Sequence, residues 1–270
     1  MNRIIRSELL KVRSTSLWWL MLIGVLAFTA IAIAYNMLGS YVQLNPDSFG
    51  ANAADMHVDK ASIAANLYTS GQYFGTLLAM VFGILIFTNE FFHQTATATF
   101  LATPKRTRVV GGKLIVAILV GVVIALITTV LAVPSGLGFL ASQHVDTFLG
   151  DGTVLKSIGL NWLAFAIWAV FGLGIGALLR SQILSVIVGL VAMLVGQTVI
   201  QIGLALLASY FHQDWLGKVS YWLPSGASSV MTSPAGAGGI AWWAGALTLL
   251  GYGVLAAVIG TLITRRRDIS

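Results

Sequence analysis

The chain has 270 residues, of which 57% are hydrophobic and only 9% charged, against about 25% charged in soluble domains. So few polar side chains cannot cover a water-soluble globule, which excludes a soluble enzyme and a soluble nucleic-acid-binding domain. The net charge of +6 therefore speaks of attraction to anionic headgroups, and the lack of cysteine excludes disulfides and thiolate metal sites.

Residues 2–16 carry Ile5, Leu9 and Val12 at helical spacing, with Arg6, Lys11 and Arg13 mostly elsewhere around the helix. This pattern predicts a short amphipathic helix along a headgroup layer; a frayed basic tail that only fixes orientation is the alternative. The first apolar run, 17–38, follows. With Ala32-Ile33-Ala34 behind it, it has the look of a secretory signal, but at about 20 residues it exceeds the 7–15 of a signal core. It is therefore expected to be retained as a span.

Further apolar runs occupy 70–89, 114–140, 158–179, 183–208 and 240–263. Each reaches the length of about 20 residues that a helix needs to cross about 30 Å of hydrocarbon. Backbone groups in lipid must be satisfied internally, and the alternation of a barrel is absent, so helices are expected. The fold class is an all-α polytopic membrane protein with six transmembrane helices in a single domain, 1–270.

Charge sets the orientation. With a cytoplasmic N-terminus, the inner segments hold twelve of the fifteen basic residues, among them Arg3, Arg6, Lys11, Arg13, Lys105, Arg106, Arg108 and Lys113. The outer loops keep Lys60, Lys156 and Lys218. That asymmetry predicts both termini cytoplasmic in the cell membrane.

The loop from Gly39 to about Asn66 reads as external, polar and short of core-forming residues, and 141–157 is similar in kind. The segment 209–239, with Trp215, Tyr221, Trp222, Leu223 and Pro224, predicts a short helix or re-entrant turn at the outer interface.

The search for chemistry returns mostly absences. Gly111-Gly112-Lys113 lacks the upstream glycine and the following Ser/Thr of a phosphate loop. His57, His93, His144 and His212 are scattered without metal-ligand spacing. No ionisable residue lies deep in a span, which counts against an ion-coupled carrier. No cofactor and no metal are expected on this chain.

What remains is helix packing and polar punctuation. In the fifth span Ser185, Gly189, Ala192, Gly196 and Gly203 share a narrow sector of a regular helix, a face that another helix can approach closely. Gln197 and Gln201 sit beside it, either as interhelical hydrogen-bonding groups or as the lining of a translocation path at a subunit interface. Gly172 and Gly176 in the fourth span suggest packing within the subunit.

Between spans two and three, Glu90 closes one apolar run, and Thr95, Thr97 and Thr99 follow with modest helix propensity. Pro104 then prevents continuation, and Lys105, Arg106 and Arg108 supply an anchor at the membrane surface. A short lever clamped to two spans fits this order; a carboxylate that merely caps a helix or reaches water is the plainer reading of Glu90.

In this order the chain resembles the membrane permease subunits of type-2 ABC transporters. Glu90, Thr95, Leu101, Pro104, Lys105, Arg106 and Lys113 match the family's sequence of an acid, a short helix, a proline with basic residues and a lysine opening span three. Gln94 stands where the family commonly has glycine. Glu8-Leu-Leu-Lys11-Val-Arg13-Ser-Thr before Trp18-Trp19 is similar to its amphipathic connecting helix, and Leu223-Pro224-Ser225 to its outer segment.

The resemblance implies an exporter permease, not itself an enzyme, for a hydrophobic or amphipathic substrate such as a drug or antibiotic, a lipid or a peptide. It implies two separate ATPase subunits, which bind the ATP and magnesium, and a second permease, identical or related. Thr95, Thr97 and Leu101, with Pro104, would contact the ATPase through a coupling helix in 90–113. Glu90 and Arg106 would hold that lever to the membrane domain. Gly189, Gly196, Gln197, Gln201 and Gly203 would lie along a transport path or dimer face. A non-transporting interaction, immunity or assembly subunit explains the packing faces but not the 90–113 arrangement.

Overall fold

A computed structural model describes residues 2–15, 17–46, 59–95, 106–211, 214–233 and 239–266. The described residues are overwhelmingly helical, with no strand. The elements are α1 (Asn2–Ser14), α2 (Leu17–Leu44), α3 (Lys60–Tyr68), α4 (Gln72–Phe92), α5 (Arg106–Ser142), α6 (Gly152–Leu179) and α7 (Gln182–Val191). A π turn (Ala192–Gly196), α8 (Gln197–Phe211), α9 (Asp214–Val219), a 3-10 turn (Ser220–Trp222), α10 (Pro224–Thr232) and α11 (Trp242–Arg266) complete the order. Six helical stretches are long and apolar enough to cross a membrane: Trp18–Leu44, Lys60–Phe92, Arg108–Ser142, Gly152–Leu179, Gln182–Phe211 and Trp242–Gly260.

One loop is shorter than the sequence suggests. α2 runs on to Leu44, and α3 occupies part of the stretch expected to lack core-forming residues. Asp59 caps α3 by accepting from the Ala61 backbone N–H, which supplies a start signal. Ile63, Ala64, Leu67 and Tyr68 are then buried in a cluster with Leu140 of α5 and Val154 of α6. Tertiary burial, more than local apolarity, makes this helix.

The Asp59 cap gives α3 a pH dependence. The hydrogen bond from Ser62, with backbone N–H groups assisting, holds the Asp59 carboxyl below the ordinary aspartate range. A lowered native pKa means that this contribution is full above the ordinary aspartate pKa and is lost as pH falls through the depressed one. Amide exchange in α3 is therefore expected to quicken over that acid window. Asp59→Ala should quicken it at neutral pH and remove the acid step.

α6 is the central post, packed against α4, α11 and α5. Its closest partner is α4. A Cβ at Gly172 would overlap the Met80 carbonyl, and one at Gly83 would overlap the Ala169 carbonyl, so the two backbones touch at both glycines. Gly176 likewise lies against the backbone of Ile84. The consequence is a burial gradient. In their most apolar windows 72% of the α3–α4 span is buried, but only 11% of α2 and 18% of the fifth span. α2 and α8 thus present apolar sides to lipid or to another chain.

The fifth span departs from the expected single face. Ser185 is fully buried, and Gly189 faces the tips of Ile84 and Met80. The π turn then inserts a residue, and one residue is about 100° of rotation. Beyond it Gln201 is exposed, and a Cβ at Gly203 would meet nothing within 4 Å. The small residues share a sector only if the helix is regular, and this one is not. The side chain of Gln197 falls outside the described residues.

Candidate functional site

At the Glu90 end, three elements each place one charge on an otherwise apolar inward stripe. α4 brings Phe82, Ile86 and Glu90 along one face, and Glu90 is 3% exposed. α5 brings Val109, Lys113 and Val116 at helical spacing, all buried. α1 turns Ile5, Glu8 and Val12 toward the spans. The sequence expected Leu9 on that stripe, but Leu9 is 41% exposed and Glu8 is buried. Gly112 allows the approach of α1, since a Cβ there would stand 2.6 Å from the Ile4 side chain.

The result is an ionic node. Lys113 Nζ lies 2.8 Å from Glu8 Oε2 and 3.0 Å from Glu90 Oε1, and it donates to the Ile86 carbonyl at 3.0 Å. Lys11 Nζ bridges the same two acids, at 2.7 Å to Glu8 and 2.6 Å to Glu90. Two carboxylates and two ammoniums cancel in formal charge, which is how such groups can be buried together. Partial burial pulls the Lys11 pKa down, but hydrogen bonds to Glu8 and Glu90 outweigh it and leave the pKa above the ordinary lysine value. Its contribution is full below that ordinary value and is lost only as pH rises through the raised one.

Both acids are held by ammoniums, and the node ties α1, α4 and α5 at one point. Beside it lies a cavity of about 250 Å³ lined by Val12, Phe82, Ile86, Asn89, His93 and Thr95, where the chain enters segment 96–105.

The turn out of α4 preserves what a glycine would give. The His93 and Thr95 N–H groups donate to the Asn89 and Glu90 carbonyls, and Gln94 takes φ 55°, the left-handed region. For a side-chain-bearing residue this conformation costs about 1–2 kcal/mol. Gln94→Gly should therefore raise stability by up to about 1 kcal/mol, the relief being offset in part by glycine's larger unfolded entropy. Thermal unfolding in detergent would read it.

Of the residues that the sequence singled out, Glu90 lies at the centre of the node and Thr95 at its edge. Thr97, Leu101 and Pro104 lie outside the described residues, as does the side chain of Arg106, which opens α5. Gly189 and Gly196 border a separate cleft beside the π turn. Glu8, Lys11 and Lys113 belong to the node but were not singled out as site residues. Each had been read singly, as a connecting-helix residue or an orientation marker. The usable signal was Lys113 on a valine stripe and Glu8 as the sole acid of its helix.

The family model described as ABC-2 family transporter protein matches residues 4–196, from α1 to the end of the π turn. The chain belongs to this family. No curated protein matches it at a significant level. As an ABC-2 permease, the chain is the membrane component of an ABC transporter, and the node lies wholly inside the matched region.

Proposed function

We propose that this ABC-2 permease is half of an exporter that moves a hydrophobic or amphipathic substrate, such as a drug or antibiotic, a lipid or a peptide, out of the cell. Two separate ATPase subunits dock at the Glu90 end, which is the cytoplasmic end, and supply the bound ATP and magnesium. A second permease, identical or related, completes the wall. The exposed apolar sides of α2 and α8 leave room for it.

The node is the observation that carries this reading. A partner that pushes on segment 96–105 moves Glu90 from one side and Arg106 from the other. Through Lys113, Lys11 and Glu8 the load passes to three helices at once instead of bending one loop. The basic excess at this end agrees with a cytoplasmic placement. The apolar, largely uncharged spans suit an apolar or amphipathic cargo.

The test is co-purification with an ATPase encoded nearby, followed by ATP turnover and vesicle transport. Glu90→Gln and Thr97→Ala are expected to leave the complex intact while turnover loses its response to cargo. Unchanged turnover and transport in both variants, or full transport by the chain alone, would overturn the proposal.

A further inference from the structure

We propose that α8 and α9 form a flap that swings as one body on two adjacent pivots, the π turn and the Ser220–Leu223 turn, while α7 stays docked. The inner half of the fifth span is fixed. α7 lies against α4 and α6, with Ser185 fully buried and Gly189 against the tips of Ile84 and Met80. Met193 of the π turn is the last described side chain of the span to be buried, in a cluster with Met80 and Ile84.

Beyond it the packing stops. No described side chain of α8 is buried, and α8 packs chiefly on α9 and the two turns rather than on another span. The chain returns through α9 to Ser220, whose carbonyl accepts from the Leu223 N–H at 3.3 Å and would overlap a Cβ at Gly226. α10 thus grips this foot by its backbone, and α10 itself packs on α6 and α11.

The two feet stand together: Gly196 and Leu223 border the same cleft of about 170 Å³. Two neighbouring attachments define one axis, and a body held only along an axis can turn about it. A close-packed joint would resist, but here the cleft leaves room, with Ile200 of the flap on its rim. The π turn supplies the compliance, because its five residues break the ladder of hydrogen bonds that keeps a helix straight. In the chain alone both positions of the flap are populated; a bound partner redistributes them and does not create them. Placing the swing in a transport cycle rests on the permease reading above. It is measured without a partner, so the two can fail separately.

The test reads spin-label distances in nanodiscs holding one chain, from Leu206 of the flap to Leu163 of α6 and to Leu247 of α11, all exposed. Exposed Ile187 of α7 replaces Leu206 in the control pairs. Leu206 stands about 15 Å along α8 from Gly196, so a swing of about 20°, the size of a sharp helix kink, carries it about 5 Å. The Leu206 pairs are expected to show two distances, up to about 5 Å apart, and the Ile187 pairs one. Deleting Leu194 makes the helix regular and should leave a single Leu206 distance. Gly196→Ala, whose methyl would meet nothing closer than the Val191 carbonyl at 3.5 Å, should shrink the minor population. Unchanged Ile187 distances report that a variant has kept its fold, and where the deletion disturbs them Gly196→Ala decides. A single Leu206 distance in the parent chain, as narrow as that of Ile187, overturns the proposal. So do two distances that persist unchanged in the variants. An equal spread at Ile187 overturns it as well, since the whole fifth span would then be loose.

Discussion

Replacing Lys113 with methionine is expected to destabilise the chain by about 3–5 kcal/mol, the cost of stranding buried charge by removing one partner. Lys113 is almost wholly buried and stands within 3.0 Å of both Glu8 and Glu90. Without it, two buried carboxylates share only Lys11, whose side chain is 45% exposed. Lys11→Met should cost far less, roughly 1 kcal/mol, because a half-exposed ion is screened by solvent and Lys113 remains. Glu8→Gln combined with Lys113→Met removes one charge of each sign and leaves the Glu90–Lys11 pair. The double variant should therefore be more stable than the sum of its single variants requires, by an interaction of about 1–3 kcal/mol. Thermal unfolding of the four proteins in one detergent gives the cycle. Additive losses would mean that the four groups do not act as a unit.

Gly172→Ala carries the second large effect. The added methyl would meet the carbonyl and Cα of Met80, which are backbone and cannot rotate aside. α4 and α6 must separate, at a cost of about 1–3 kcal/mol or more for a single methyl. Gly203→Ala is the contrast, since a Cβ there meets nothing within 4 Å. It should leave the isolated chain unharmed and slightly favour helix. If the outer half of the fifth span packs on a second permease, Gly203→Ala should instead weaken the assembled pair. Unfolding of the isolated chain and the mass of the assembly distinguish the two.

The six spans were legible because apolar length is a local property that lipid enforces. α3 was not, because its eventual core partners, Leu140 and Val154, lie far away in the chain. The face of the fifth span was misjudged for a related reason: small residues at helical spacing line up only on an unbroken helix, and nothing in Ala192–Gly196 announces a π turn. The site was half legible. Glu90 stood out as an acid at the end of a span, and Thr95 as the start of a short lever. Its partners did not, since Lys113 at the mouth of an apolar run counts equally well as an orientation signal. Only the packing of α1 across α4 and α5 turns four separate charges into one node. Gln94 shows the reverse case, where a departure from the family's glycine leaves the turn itself in place.

The most direct measurement uses the chain's lack of cysteine. Spin labels are placed at exposed Tyr35 of α2 and Leu206 of α8, and their separation is read in the reconstituted complex before and after ATP is trapped on the ATPase. The separation is expected to change on trapping, and to stay fixed in the Glu8→Gln/Lys113→Met protein although the complex assembles and hydrolyses ATP. Equal movement with the node dismantled would contradict transmission through Glu8, Lys11, Glu90 and Lys113, and the same movement in the absence of the ATPase would contradict the drive itself.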